Sequence, residues 1–316
     1  MSRGVASHRL NAGLCVVALA LSATALFVVP LVVLPYSTAA AVALLATAVL
    51  ATPFHGALLH EAIHGKLLAG ERGNRVAGRA LATCFGVAFE VVRYGHLAHH
   101  RFNRHALDRP DVLDGDKPVA ARIGYYINLL GGVYALEVLS TLASLLPRRL
   151  LLPRIGRLAA GGEPSLVAVI NGMQRAVADV RLTRARFDCA IAIGLYGMAA
   201  FLYGAAWPLL VIVVGLRGII ISVFDNAPHY GTPPTSRAPV YNLRLSRWAA
   251  AVMLNQNLHG IHHRRPGLSW QALPASFAAD GAGYDGSFAG AVLRQFRGPL
   301  PPAPMPDAAA AARPVS

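Results

Sequence analysis

Long apolar blocks, the first two of them uncharged, alternate with basic polar regions along the chain. The first block runs from about residue 10 to 33 and the second from 39 to 59. At about 1.5 Å per residue, each is long enough to cross a hydrocarbon layer of ~30 Å. Pro35, Tyr36 and Ser37 supply a turn between them. The pattern predicts two membrane-spanning helices joined by a tight loop, the first too long for the apolar core of a cleaved signal peptide.

A further apolar block covers residues 187–224 and is interrupted near Gly204, Trp207 and Pro208. It predicts a second hairpin, with spans at 187–204 and 206–224. The hairpin tip carries no basic residue, which is typical of the outer side of a membrane.

The block at residues 123–146 is apolar but contains Gly131, Gly132 and Glu137. If it crossed the membrane, the arginine-rich stretch that follows it would lie outside, against the positive-inside rule. We therefore predict an interfacial or re-entrant segment at 123–146.

Composition and charge support a membrane protein. Of the 316 residues, 55% are hydrophobic and only 14% are charged, which exceeds the apolar content of most soluble domains. The net charge of +14 comes from basic residues scattered between apolar blocks, without a nucleic-acid motif, so no nucleic-acid partner is predicted. No Lys or Arg stands between Arg9 and Lys66, whereas the region 61–122 is rich in both. This asymmetry predicts a multi-pass protein with both termini in the cytoplasm.

The predicted organisation is all-α: four transmembrane helices and a cytoplasmic helical cap, forming one membrane domain over residues 1–297. The Pro- and Ala-rich residues 298–316 predict a disordered tail.

Three histidine clusters lie outside the predicted spans or at their ends. They are His60-x-x-x-His64, His96-x-x-His99-His100 and His259-x-x-His262-His263. On a helix, residues three or four apart share a face, so each cluster can direct two or three imidazoles at one point. The alternative is a solvated histidine patch, in which packed rings would repel one another when protonated. We favour metal ligation, and leave His8, His55 and His105 outside the site.

The order HxxxH, HxxHH, HxxHH resembles the membrane fatty acid desaturase superfamily, which includes related hydroxylases and carotenoid ketolases. The resemblance extends from about Leu10 to Pro274 and includes "HEAIHG", "HHRF" followed by "LDRPD", and "NLHGIHHRRPGLSWQALP". Members carry one more ligand histidine after the last span, where "DNAPHYG" supplies His229. The metal ligands that the resemblance implies are His60, His64, His96, His99, His100, His229, His259, His262 and His263.

Two places depart from the family pattern. Arg109 interrupts the acidic motif after the second cluster, which leaves the roles of Asp108 and Asp111 open. Asp225, followed by Asn226, stands where members often have asparagine. Either residue could reach the metal through water, and a turn or helix-end role is an equal alternative for Asp225.

The resemblance implies two non-haem irons, with O2 as co-substrate, that remove hydrogen from an unactivated C–H bond. The expected reaction is desaturation of an acyl chain of a lipid, and the alternative is a hydroxylase or ketolase of a lipid or carotenoid. The first cluster, with its HxxxH spacing, looks more like acyl-lipid desaturases and carotenoid oxygenases than the acyl-CoA type. No flavin, nicotinamide, iron–sulfur or haem signature is evident, so electrons are expected from a ferredoxin or cytochrome b5 type donor with its reductase.

Two other functions fit part of the pattern. His60-Glu61-Ala62-Ile63-His64 is also HExxH, the zinc-protease motif in which glutamate is the general base. An intramembrane protease would leave the other histidine clusters without a role. A haem-carrying cytochrome would need two axial ligands per haem rather than adjacent triplets.

Overall fold

The computed structural model describes residues 7–104, 108–113, 118–147, 180–233 and 240–301. Within them the protein is helical, apart from a short parallel pair of strands, β1 (Leu243–Arg244) and β2 (Gly286–Ser287). Most of the tail predicted at 298–316 lies outside the described residues.

The helices of the N-terminal half include the first two histidine clusters. In chain order they are α1 (His8–Ala23, continued as a π-helix over Thr24–Val33), α2 (Thr38–Leu50), α3 (Thr52–Ile63), α4 (Glu71–Cys84), α5 (Phe89–Phe102), α6 (Pro118–Ile127, continued as a π-helical segment over Asn128–Gly132) and α7 (Val133–Ala143).

The helices of the C-terminal half include the last cluster. They are α8 (Val180–Tyr203), a 3-10 turn (Gly204–Ala206), α9 (Trp207–Asn226), α10 (Arg247–Val252), a 3-10 turn (Gln256–Leu258), α11 (His259–Arg264), α12 (Leu273–Ala279) and α13 (Phe288–Gln295).

Four helical stretches of the described chain are long and apolar enough to cross a membrane: His8–Val33, Thr38–Ile63, Val119–Ala143 and Arg181–Asn226. The prediction of an all-α membrane protein is confirmed. The last stretch contains both spans predicted in the second hairpin. Gly204, with a φ of 52°, ends α8, and Pro208 stands in the first turn of α9, where its missing N–H costs nothing.

The segment predicted to be interfacial or re-entrant differs from an ordinary span in one respect. Its helix is broken at Leu130 and Gly131, where Gly131 has a φ of 115°. The Tyr125 hydroxyl donates to the Gln295 carbonyl (2.7 Å), and Arg186 donates to the Ser144 carbonyl (2.9 Å) just beyond α7. Its length would also allow a crossing, so the placement of 123–146 stays a prediction.

Small residues let the helices approach closely around the histidine-bearing elements. A Cβ at Gly78 of α4 would lie 2.5 Å from the Phe89 ring, and one at Gly218 of α9 would lie 2.7 Å from the Tyr134 ring. Such contacts stabilise helix pairs in lipid, where both partners are already in an apolar solvent.

A buried acid fixes the start of α5, which carries the second histidine cluster. Asp188 of α8 is fully buried; it pairs with Arg79 of α4 (2.6 Å) and accepts from the Phe89 backbone N–H (3.2 Å). The carboxylate therefore joins three helices and compensates one unpaired N–H at the first turn of α5.

Candidate metal centre

Four separate segments direct the histidines toward one region. His60 lies in the last turn of α3 and His64 follows its end; His96, His99 and His100 lie in the last two turns of α5. His229 lies in the turn after α9, and α11 consists largely of the third cluster. Helical spacing brings together the members four residues apart in each cluster, whereas His99 and His262 are grouped with histidines of other clusters, which the prediction of one common point per cluster did not include.

The nine histidines form two groups, in each of which one nitrogen per ring lies within 4.8 Å of all the others. The first group combines all three clusters and consists of His60, His64, His96, His100 and His262. The second consists of His99, His229, His259 and His263.

The two groups adjoin each other. The rings of His100 and His263, one from each group, stack with centroids 4.1 Å apart. Within the second group, the His99 and His229 centroids lie 4.5 Å apart. The arrangement is that of two neighbouring ion sites rather than one large one.

The Nε2 atoms of the first group are too close to be explained by hydrogen bonds alone. His64 and His96 are 2.9 Å apart at Nε2, His96 and His100 are 3.0 Å apart, and His100 and His262 are 3.0 Å apart. A neutral imidazole Nε2 is either a donor of one hydrogen or an acceptor. His96 and His100 each make two of these contacts through one Nε2, and a single hydrogen or a single lone pair does not serve two ordinary hydrogen bonds.

A metal ion accounts for this spacing. Two nitrogens each about 2.1 Å from one ion, at right angles, are about 3.0 Å apart. In the second group, His99 and His229, and likewise His259 and His263, are 3.2 Å apart at Nε2. The Nε2 atom of His60 is buried without a hydrogen-bond partner. The residues therefore fit metal ions, and imidazole is a ligand type that suits iron.

The surroundings keep the imidazoles neutral, as metal ligation requires. Burial, assisted by Arg93 and Lys66, lowers the pKa of His64 to about 4. Burial next to His64 and His99 lowers the pKa of His100 to about 3. Burial and neighbouring imidazoles also lower the pKa of five further histidines of the two groups, namely His96, His229, His259, His262 and His263.

His99 is the exception. Burial alone would lower its pKa, but the hydrogen bond and charge of Asp108, together with the charge of Asp225, raise the pKa above its usual value. The Asp108 carboxylate lies 2.6 Å from Nδ1 of His99. This contact holds the proton on Nδ1 and leaves Nε2 free to face the second group, as in carboxylate–histidine–metal arrangements.

Asp111 fixes the turn that carries His229. Its Oδ1 atom pairs with buried Arg104 (2.5 Å), and its Oδ2 atom accepts from the Gly231 backbone N–H (2.7 Å). Arg104 also reaches the His229 carbonyl at 3.5 Å and has a left-handed φ of 67°. The motif after the second cluster thus positions two histidines of the second group. Asp108 contacts His99 directly, and Asp111 holds the turn of His229.

Three of these supporting residues were not identified from the sequence. Arg104 is one basic residue among many, and Gln256, whose amide lies 3.1 Å from Nδ1 of His60, has no distinguishing neighbours. The role of Gly231 depends on its contact with Asp111, 120 positions away in the sequence. A signal existed only for Asp108 and Asp111, from their position after the second cluster.

Asp225 and Asn226, predicted as possible water-mediated or supporting residues, lie at the end of α9. The Asn226 amide donates to the side chain of Gln295 (2.7 Å), away from the histidines. Asp225 is exposed and close enough to His99 for its charge to act there. Neither residue is a member of the two groups, and a role for Asp225 through water stays a prediction.

Glu61 is the general base that the HExxH interpretation requires, but its carboxylate contacts the Trp270 backbone rather than the histidine groups. It is buried, and its Oε2 atom accepts from the Trp270 backbone N–H (3.2 Å). Glu61 belongs to neither metal-binding group. Its contact connects the first cluster with the loop after the third, which is a structural role.

The histidines excluded from the site lie apart from it where they are described. His8 faces the Leu67 carbonyl (3.4 Å), and His55 contacts Ser22 and the Leu81 carbonyl. His105 lies outside the described residues. The two groups contain the nine histidines selected from the sequence, although their role as ligands stays a prediction.

The model of the family described as "Fatty acid desaturase" matches residues 36–288, which include every histidine of both groups. The chain belongs to the fatty acid desaturase family. Searches of curated proteins and of solved structures found no match. Membership makes the protein an integral-membrane oxidoreductase of the di-iron desaturase and hydroxylase type, with a lipid substrate. The histidine clusters could hold the metals on which this desaturase family typically depends.

Proposed function

We propose that the protein desaturates an acyl chain of a lipid, using O2 and electrons from a separate redox partner. The observation that carries the proposal is the pair of adjoining histidine groups, one of five residues and one of four, to which four separate segments of the chain contribute. The site consists of nitrogen donors without a carboxylate ligand, whereas the zinc of a typical zinc protease is held by two histidines and a glutamate. Family membership supports the same type of chemistry.

The proposed ligands divide between two irons. His60, His64, His96, His100 and His262 would hold one, and His99, His229, His259 and His263 the other. When bound, the irons supply the redox chemistry that couples O2 reduction to removal of hydrogen from a C–H bond.

The remaining residues of the site act by positioning. Asp108 keeps the proton of His99 on Nδ1, so that Nε2 carries a lone pair. Asp111 and Arg104 hold the turn of His229, and Glu61 holds the loop of Trp270 against α3. Fixed ligands of this kind limit the reorganisation that accompanies electron transfer and substrate binding.

We also propose that the histidine-bearing surface faces the cytoplasm and receives electrons from an acidic carrier, a ferredoxin or cytochrome b5 with its reductase. Exposed basic side chains near the clusters support this, among them Arg101 beside the second cluster and Arg264 and Arg265 after the third. Such a face would steer an acidic partner toward the metals.

The test is lipid profiling by mass spectrometry of a host that expresses the protein with a donor and reductase. Desaturation predicts products lighter by two hydrogen atoms. Products heavier by one oxygen atom would replace the proposal with hydroxylation, and products that gain oxygen and lose two hydrogens would indicate a ketolase. A His100→Ala variant, which removes a proposed ligand, is the control and should give no product.

A further inference from the structure

The end of α13 is attached to the end of α9, close to the second histidine group. Gln295, the last residue of α13, is fully buried. Its side-chain amide donates to the Val223 carbonyl (2.9 Å), and its Oε1 atom accepts from the Asn226 amide (2.7 Å). Val223 and Asn226 belong to the last turn of α9, just before the turn of His229. The side chain of Gln295 therefore joins the two helix ends.

Two tyrosines of α6 bind the same end of α13. The Tyr125 hydroxyl donates to the Gln295 carbonyl (2.7 Å). The neighbouring Tyr126 donates to the Phe296 carbonyl (3.2 Å). The last carbonyls of a helix have no N–H partners within it, so these hydroxyls supply donors where the helix itself lacks them.

A third tyrosine connects the chain after α13 with the turn of His229. Tyr230, the next residue after His229, donates its hydroxyl to the carbonyl of buried Gly298 (2.7 Å). Gly298 has a φ of 95°, which favours glycine, and a Cβ there would lie 3.0 Å from the Tyr126 hydroxyl. The glycine therefore lets the chain turn while its carbonyl stays bound to Tyr230.

Beyond this turn, Leu300 pairs with the acidic motif that follows the second cluster. Its backbone N–H donates to the Asp111 carbonyl (2.7 Å), and its carbonyl accepts from the Leu113 N–H (2.7 Å), which forms a parallel bridge. Asp111 in turn holds the turn of His229 through the Gly231 N–H. The Leu300 side chain lies beside the same glycine, because a Cβ on Gly231 would be 3.4 Å from Cδ1 of Leu300.

The sequence around Leu300 suits this contact. Leu300 stands between Pro299 and Pro301, and proline has no backbone N–H, so Leu300 supplies the one donor of these three residues. Proline also fixes its own φ and favours an extended residue before it, which reduces the entropy lost when the segment pairs with Asp111. The segment follows residue 288, the last one that the family model matches, so family membership does not predict its role.

We propose that residues 295–300, called the C-terminal strap from here on, position the second histidine group so that it binds its metal tightly. The inference rests on the proposed function, because it takes that group as the ligands of one metal. The strap joins two supports of His229, since Leu300 pairs with Asp111 and Gly298 is bound by Tyr230. His229 belongs to the second group alone, so a loosened strap should weaken that site and spare the first.

The test is a chelator titration of the iron-loaded full chain in detergent, with the iron retained per protein as the readout. Leu300→Pro removes the N–H that binds Asp111. One of the two irons should then be bound about 10- to 100-fold more weakly, as for other residues that orient a metal ligand, while the other is held as before. Leu300→Val, which keeps the N–H, should retain the second iron where Leu300→Pro loses it.

The His229→Ala variant assigns the weakened iron to its group. It removes a ligand of the second group, so adding Leu300→Pro to His229→Ala should not weaken the remaining iron further. A further loss in that background, or equal weakening of both irons in Leu300→Pro alone, would reveal a general loss of stability and overturn the positioning role. Unchanged affinity for both irons in Leu300→Pro would overturn it as well.

Tyrosine variants decide the matter should Leu300→Pro not fold. Tyr125→Phe combined with Tyr230→Phe keeps both rings and removes two hydrogen bonds to the strap, so it should weaken the second iron by about tenfold. Tyr203→Phe is the matched control, because the Tyr203 hydroxyl also donates to a carbonyl, that of Ala25 (2.7 Å), within the spans. Equal iron affinity in the double variant and the control would refute the strap.

Failure of the strap and failure of the proposed function give different results. An unchanged chain that binds no iron would refute the proposed function, and the strap proposal with it. An unchanged chain that binds two irons, together with strap variants that bind them equally well, would refute the strap alone.

Discussion

Single residues set the protonation and orientation of the histidines. The contact of Asp108 with Nδ1 of His99 is the shortest polar contact to any histidine of the two groups. Asp111 acts one step further away, through Arg104 and Gly231. The two aspartates of one short motif therefore support the second group by different means.

Asp108→Asn should lower iron affinity or activity by about 10- to 100-fold, because the amide cannot hold a charge-assisted hydrogen bond to His99. Iron per protein, measured after dialysis against a graded chelator, checks this. Asp280→Asn, at a partly exposed acid that pairs with Arg264 and Arg265, is the matched control. Loss of the same iron in both variants would contradict the specific role of Asp108.

The histidines themselves were predictable from sequence, because ligands three and four apart on a helix leave a local signature. His229 was predictable only from its place in the family pattern. Arg104 and Gln256 were not predictable, because their contacts join segments more than a hundred residues apart. Spacing shows which residues share a helix face, whereas the residues that contact and orient them are brought there by tertiary packing.

At the scale of elements, helix α9 packs closely against α7. Gly218 faces the Tyr134 ring of α7 so closely that any side chain would collide with it. A Cβ at Gly215, less than one turn earlier, would have no neighbouring atom within 4 Å. The position of Gly218 is therefore constrained by packing, whereas the position of Gly215 tolerates a side chain.

Gly218→Ala should destabilise the protein by about 1–3 kcal/mol through overpacking against Tyr134. Gly215→Ala on the same helix should be neutral or slightly stabilising, since alanine is the better helix former. Thermal unfolding in detergent, followed by circular dichroism, compares the two. Equal melting temperatures would show that Tyr134 moves aside without cost.

The spans were predictable as elements from the length of the apolar blocks, and both helices of the second hairpin lie within one described stretch. The π-helical course of residues 24–33 and the break at Gly131 were not predicted. Hydropathy reports how much apolar chain is present, whereas the hydrogen-bonding register depends on the neighbouring helices.

At the scale of the whole molecule, the topology is defined by the side of the membrane on which each connection lies. Tyr36 is 88% exposed in the loop between α1 and α2, Arg72 is exposed on α4, and Leu146 is 46% exposed beyond α7. These positions report on the loop predicted to be external, on the histidine side and on the end of the 123–146 segment.

A membrane-impermeant maleimide should label Tyr36→Cys in intact cells, and Arg72→Cys only after permeabilisation. Leu146→Cys should behave like Arg72→Cys if the 123–146 segment re-enters, because a segment that returns leaves both its ends on one side. Labelling of Leu146→Cys in intact cells would show that this segment crosses. The unchanged chain, in which Cys15 and Cys189 are buried and Cys84 is partly buried, measures the background.

The distribution of the histidines along the chain has a consequence for biogenesis. Each group combines residues from distant segments, and the third cluster, at residues 259–263, completes both. The proposed centre can therefore form only after the ribosome has made most of the protein and the preceding helices are in the bilayer. Iron would be acquired late, by a chain already inserted, and would then hold α3 and α5 together with α11.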